Sequence, residues 1–322
     1  MTAYNPSQEA MMPSFASRWV IPAYLRVIRA NRPFLRPEAA RKHLRERSLR
    51  PKSYGPPRRL RSDVVVSVDH SLGWPVYTIA PRSGPVRGNV VYVHGGAWVN
   101  EIAPQHWALA TEIAARVGTT VTVPIYPLVP IGTALEVVDE IAGLVLDNRA
   151  RYGEVCLAGD SAGGQIALST AVVLRDEHQL SVPRTVLISP AVDLSLSNPE
   201  IDVVLPSDPW LGKEGTRVFI EHWRGQLSLS DPRVSPLAAD LRGLGPLTIF
   251  SGTRDIVLPD VRLLVAKARA AGVETDYYEG TGLVHVYPLT PTPEGKDGRA
   301  VVIAALCDAL AAEKRCAAGE SS

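Results

Sequence analysis

The hexapeptide Gly159-Asp-Ser-Ala-Gly-Gly164 lies between the apolar run Val155-Cys-Leu-Ala158 and the helix-like run Gln165-Ile-Ala-Leu-Ser-Thr-Ala171. A buried strand that turns directly into a helix, with two small residues on each side of one serine, leaves no room for anything larger. The pattern predicts Ser161 in a strained conformation with its hydroxyl pushed out of the sheet, as a nucleophile requires. A glycine-rich strand-to-helix turn also cradles phosphates or merely packs closely, so the rest of the chain has to decide.

From about Val64 onward, short β-branched runs alternate with longer helical patterns, which predicts a mostly parallel sheet with helices on both faces. The runs at 64–69 and 75–80 flank a short loop with Gly73 and read as an antiparallel edge pair. Further strands are predicted at 89–94, 120–125, 155–160, 185–190, 246–252 and 274–280, making about eight. Helices are expected near 104–118, 133–151, 259–271 and 297–313.

Two segments break the alternation. Residues 1–60 read as two basic helices split by prolines, and 194–245 form an insertion rich in Pro, Gly, Ser and Trp. Loops this long in a compact domain are usually functional, so both are read as parts of a cap over the sheet's carboxyl edge. The catalytic core is then 61–193 together with 246–322.

The net charge of +1 conceals an asymmetry. Residues 1–61 hold 14 Lys or Arg against Glu9, Glu38 and Glu46, a balance of +11, which leaves −10 for the remainder. Such a basic segment suits an anionic membrane or a nucleic acid, or it is a solvated helix face docking on the acidic remainder. No apolar run is long enough to cross a membrane, and residues 1–15 lack a secretory pattern. Three cysteines, Cys156, Cys307 and Cys316, suggest neither a disulfide framework nor a metal site, and a cytoplasmic location is expected.

An activated serine needs a base, a carboxylate to orient that base and N–H donors for the oxyanion. Asp255 follows the 246–252 strand and His285 the 274–280 strand, so a parallel sheet would bring both beside Ser161. Asp193, after the 185–190 strand, is the alternative acid. The other histidines lie before the serine, on helices or in the insertion. His94-Gly-Gly-Ala-Trp98 closes the third strand, and glycines there would let a carbonyl reach the backbone N–H groups of Gly95, Gly96 and Ala97, with that of Ala162. Trp98, Asp160, Tyr126 and Trp210 are expected around the substrate pocket, and Trp223 is a further candidate from the insertion.

These motifs, with the His285-Val-Tyr287 segment, resemble the hormone-sensitive-lipase-like branch of the α/β-hydrolases, the bacterial family IV carboxylesterases, from about residue 62 to the end. The resemblance implies an α/β-hydrolase fold with a helical cap. It also implies hydrolysis of short- to medium-chain esters through an acyl-enzyme, with no cofactor or metal. The chain departs from the family pattern at Ala97, where a third glycine is usual, at Tyr126-Pro-Leu-Val-Pro-Ile131 and at Asp255-Ile-Val-Leu-Pro-Asp260. His94–Trp98 is also similar to kynurenine formamidases, which leaves amide hydrolysis as an alternative. A ligand receptor on this fold is a second one, although the related plant gibberellin receptor lacks the histidine that His285 supplies. The expected partners are a small-molecule ester, an anionic lipid surface met by the N-terminal segment, and a second copy in a homodimer, with no nucleic acid.

Overall fold

Each of the eight β-rich runs forms a strand of one sheet in the computed structural model, which describes residues 13–311. Residues 1–12 of the basic segment and Cys316 lie outside the described residues. The strands are β1 (Val64–Asp69), β2 (Val76–Pro81), β3 (Asn89–Val93), β4 (Thr120–Pro124), β5 (Val155–Asp160), β6 (Thr185–Ile188), β7 (Leu247–Arg254) and β8 (Thr275–Val284). Their order is β1-β2-β4-β3-β5-β6-β7-β8. β1 and β2 form the expected antiparallel edge, and all pairings from β4 to β8 are parallel.

Side-chain alternation divides the core. Val91, Val93, Leu157 and Leu187 face one apolar layer, while Val90, Tyr92, Cys156 and Val186 face the other. Both faces are covered, which is why the central strands read as continuous apolar runs. The first layer is closed by helices α5 (Ala134–Tyr152), α6 (Ala162–His178) and α9 (Leu258–Ala270), and the second by α4 (Pro104–Ile113) and α10 (Pro293–Ala311). α5 shows the sequence logic plainly: Val137, Val138, Ile141, Leu144 and Val145 make one buried stripe, and Gly153, at φ 84°, ends the helix.

The N-terminal segment holds more helix than the two predicted. A helical turn (Ala16–Val20) runs into α1 (Ile21–Val27), followed by α2 (Arg32–Leu35) and α3 (Pro37–Leu49). Pro33 and Pro37 sit in the first turns of α2 and α3, where a missing N–H costs nothing, so they start helices as well as separating them. The insertion contains α7 (Glu200–Val204) and α8 (Lys213–Arg224), and α8 packs on α2 and α3. Phe219 of α8 is fully buried there against Phe34 and His43, and Trp223 is fully buried further along the helix. Each such side chain contributes about 1.5–3 kcal/mol by leaving water.

β7 and β8 run further than their sequence patterns, because a bulge between Gly252 and Arg254 absorbs the mismatch. Beyond it Arg254 pairs with Val284, so the next residues on the two strands, Asp255 and His285, emerge side by side.

Candidate active site

Ser161 has φ 51° and ψ −117°, a left-handed conformation that costs a non-glycine residue about 1–3 kcal/mol. Two close approaches impose it. A β-carbon on Gly159 would press into the Gly163 carbonyl, and one on Gly163 into the carbonyls of Val93 and His94. The small residues around the serine therefore serve packing, and the packing lifts the hydroxyl out of the sheet.

His285 Nε2 lies 2.8 Å from Ser161 Oγ, and His285 Nδ1 lies 2.8 Å from Asp255 Oδ2. A carboxylate only accepts, so Nδ1–H donates to Asp255 and Nε2 is left to accept from the serine. Asp255 and His285 are buried. Burial alone would lower the imidazole's pKa, but the charge and hydrogen bond of Asp255 outweigh it and hold the ring above its ordinary value. Asp193, the alternative acid, turns away to accept the N–H of Ser195.

The loop after β3 is braced from beneath. β3 and β5 pair Val93 with Gly159, which sets His94 and Gly95 against Asp160. Asp160 Oδ1 accepts the Tyr92 hydroxyl at 2.6 Å and the Gly95 N–H at 3.1 Å. His106 Nδ1 accepts the Ala103 N–H, which leaves its Nε2 to meet Asp160 Oδ2 at 3.2 Å. Burial opposes the charge on Asp160, yet His106, Tyr92 and Gly95 together keep its pKa below the ordinary value. The Gly95 N–H is thus engaged and does not face an incoming oxyanion, contrary to the sequence expectation. Those of Gly96, Ala97 and Ala162 donate to no acceptor among the described residues. Ala97 adopts φ 52° in place of the expected third glycine.

Helix α3 reaches this loop through the Arg47–Glu101 ion pair and through a hydrogen-bonded relay. His43 Nε2 on α3 bonds Asn100 Oδ1 at 2.7 Å, and Asn100 Nδ2 donates to the Gly96 carbonyl at 3.1 Å. Burial lowers the pKa of His43.

A cavity of about 590 Å³ opens above Ser161, bounded by the 28–34 turn, the 96–106 segment and the Trp210–Leu211 loop. Of the four expected pocket residues, Asp160 and Trp210 line it, and Trp98 and Tyr126 do not. The Trp98 indole stacks on Trp223 at 5.8 Å, and both rings donate Nε1–H to Gln165 Oε1. Trp223, the further candidate, is fixed in the same interface. Tyr126 donates to the His94 carbonyl and stacks on the His94 ring. Backbone rotation at Ala97 and Trp98, both with positive φ, accompanies the turn of the indole away from the cavity. Trp210 stands edge-on to the His285 ring at 5.8 Å.

One participant was not singled out from sequence. Asp208 Oδ1 accepts the N–H groups of Trp210 and Leu211, and its Oδ2 accepts that of Ile256. Burial first, and then the charge of Asp255, push its pKa above the ordinary carboxylate range. Its only sequence signal is a short acid before proline in the insertion. Among the described residues no cluster of three His, Cys, Asp or Glu side chains is arranged to hold a metal ion.

A family profile described as the alpha/beta hydrolase fold matches residues 90–289. A triacylglycerol lipase of Mycobacterium tuberculosis is 33% identical over 245 residues, covering 74% of this chain and 51% of the lipase. An esterase of Acinetobacter venetianus is 30% identical over 198 residues, covering 60% of this chain and 65% of that protein. The chain thus spans about half to two thirds of these curated relatives. The crystal structure of an esterase from the bacterial hormone-sensitive lipase family superposes with a TM-score of 0.78 at 25% identity, covering 93% of this chain and all (100%) of that one.

Proposed function

Because the chain belongs to the α/β-hydrolase family, in its hormone-sensitive-lipase-like branch, we propose that it is a serine carboxylesterase with Ser161, His285 and Asp255 as its catalytic residues. One observation carries the reading: the unbroken relay from Ser161 Oγ through His285 to Asp255, both links 2.8 Å, at the floor of a cavity.

In this mechanism His285 Nε2 takes the Ser161 proton as Oγ attacks the ester carbonyl carbon. The carbonyl π electrons move onto oxygen, where the N–H groups of Gly96, Ala97 and Ala162 receive the charge; one such donor is typically worth about 10²- to 10³-fold in rate. The imidazolium, held by Asp255, then protonates the leaving alkoxide as the C–O bond breaks. Water, deprotonated by the same ring, then adds to the acyl carbon, and the ring returns the proton to Ser161 Oγ as the C–Oγ bond breaks and the acid leaves.

Residues 1–60 and 194–245 form the cap in this reading, which the packing of α8 on α2 and α3 supports. Esters of short to medium acyl chains are the substrates in this reading, and the cavity has the size usual for a small-molecule site. Small-molecule esters are the substrates, the basic N-terminal segment makes peripheral contact with anionic lipid, and two copies associate as a homodimer. Cys156 and Cys307 are free thiols, in keeping with a cytoplasmic location, and no helix of the described residues is long and apolar enough to cross a membrane.

Initial rates on p-nitrophenyl esters from acetate to palmitate test the reading, with an aryl formamide included. A short- or medium-chain maximum that falls at least about 10⁴-fold in Ser161→Ala is expected. Hydrolysis of the formamide alone would move the assignment to amides, and ester turnover retained by Ser161→Ala would overturn it.

A further inference from the structure

The segment from Phe15 to Arg36 shows two opposed faces. Its inner face is fastened: Ser17, with Ser14 just before the segment, donates to the Glu294 carboxylate of α10, and Pro22 and Leu25 are buried. Its outer face carries Phe15, Trp19, Val20, Tyr24, Val27 and Ile28, with Phe15 74%, Trp19 58% and Val27 79% exposed. No other stretch of the described residues exposes large apolar side chains so densely. Exposed apolar residues are ordinarily scattered, and a contiguous set marks an interaction site.

The charges say what it meets. Arg18, Arg26, Arg29, Arg32 and Arg36 are interleaved with the apolar residues, all exposed, and no acid occurs between residues 13 and 37. None of the five makes an ion pair within the described residues. The Arg18 guanidinium lies 5.2 Å from the centre of the Trp19 ring, an aromatic–cation pair suited to a lipid headgroup layer. A protein partner of matching shape would need a concave acidic surface. A bilayer with anionic headgroups supplies both the charge and the apolar depth without one.

Position ties this face to the chemistry. Ile28, Arg29 and Arg32 lie at its end and also form a wall of the cavity above Ser161. We propose that Phe15–Arg36 is an interfacial surface that seats the protein on an anionic membrane with the cavity mouth at the headgroup layer, so that esters dissolved in the bilayer enter past Ile28. The route taken by the ester rests on the esterase reading above; the membrane contact does not.

Co-sedimentation tests the contact with vesicles of phosphatidylcholine alone and with about a third phosphatidylglycerol. The wild type should bind the anionic vesicles at least about tenfold more strongly, and raised salt should weaken that binding. The double variant Trp19→Ser/Val27→Ser should lose about tenfold in binding, yet hydrolyse p-nitrophenyl acetate in vesicle-free buffer at the wild-type rate. Arg18→Gln/Arg26→Gln should lose binding and flatten its salt dependence. Wild type that stays in the supernatant, variants that sediment like wild type, or a Trp19-dependent dimer without vesicle binding would each overturn the proposal. Ser161→Ala enters the same binding assay. Vesicle binding by both proteins with no ester hydrolysis by wild type would overturn the esterase reading alone.

Discussion

Asp208 accepts the backbone N–H of Ile256 at 3.0 Å, one residue beyond Asp255, and so fastens the insertion to the turn that holds the acid. The same carboxylate accepts the N–H groups of Trp210 and Leu211 at 2.8 and 2.9 Å, which sets the Trp210 ring against His285. Asp208→Asn keeps one acceptor oxygen but presents an NH₂ to one of these donors. Hydrogen bonds to a charged group are worth about 1.5–3 kcal/mol, so kcat/KM should fall roughly 10- to 100-fold. The unfolding midpoint, measured alongside, shows whether the turn or the whole fold has loosened. An unchanged kcat/KM would mean that the acid's turn holds its shape unaided.

The pH dependence follows from the protonation state His285 needs. Only the neutral ring can take the Ser161 proton, and Asp255 raises its pKa above the usual value of about 6.5. Activity should therefore rise with pH through a midpoint above that value, as kcat/KM against pH will show. Asp255→Asn removes the favourable charge and leaves burial, which acts in the opposite direction. The midpoint should move down while the rate falls about 10⁴-fold, since the amide also favours the wrong ring tautomer. A midpoint that moves up would contradict the role given to Asp255.

The strand tips carrying Ser161, Asp255 and His285 are legible in the sequence because each residue follows a β-rich run within five positions, and periodicity locates such runs well. What it does not give is direction. Gly95 lies in the expected loop, but the pairing of Val93 with Gly159 commits its N–H to Asp160. Trp98 follows the same loop and looks like a pocket wall until the positive φ of Ala97 and Trp98 is known. Asp208 lies 48 residues before Ile256 in an insertion without periodicity, so only the folded chain brings them together.

Gly163→Ala tests whether the small residues around Ser161 are there for packing. The added β-carbon would meet the carbonyls of Val93, the last residue of β3, and of His94 just beyond it, and Val93 cannot retreat without disturbing its pairing with Gly159 in the central sheet. Overpacking at such a site costs about 3 kcal/mol, readable as a lowered midpoint in chemical denaturation. A variant as stable as wild type would show that the strand-to-helix turn has slack.

Trp98 and Trp210 should respond oppositely to substitution, although both are tryptophans near the serine. Trp98→Phe removes an indole N–H that donates to Gln165 in a buried interface, and it leaves the cavity wall untouched. It should lower stability by about 1–2 kcal/mol with the acyl-chain profile unchanged. Trp210→Ala removes a wall of the cavity and uncovers the edge of His285, along with a ring that packs partly buried against both apolar layers. Its profile on p-nitrophenyl esters should shift toward longer chains, and kcat on the acetate should fall about tenfold as water reaches the ring. The chain-length profile of each variant, set beside its unfolding midpoint, separates the two roles; a profile altered by Trp98→Phe and not by Trp210→Ala would reverse them.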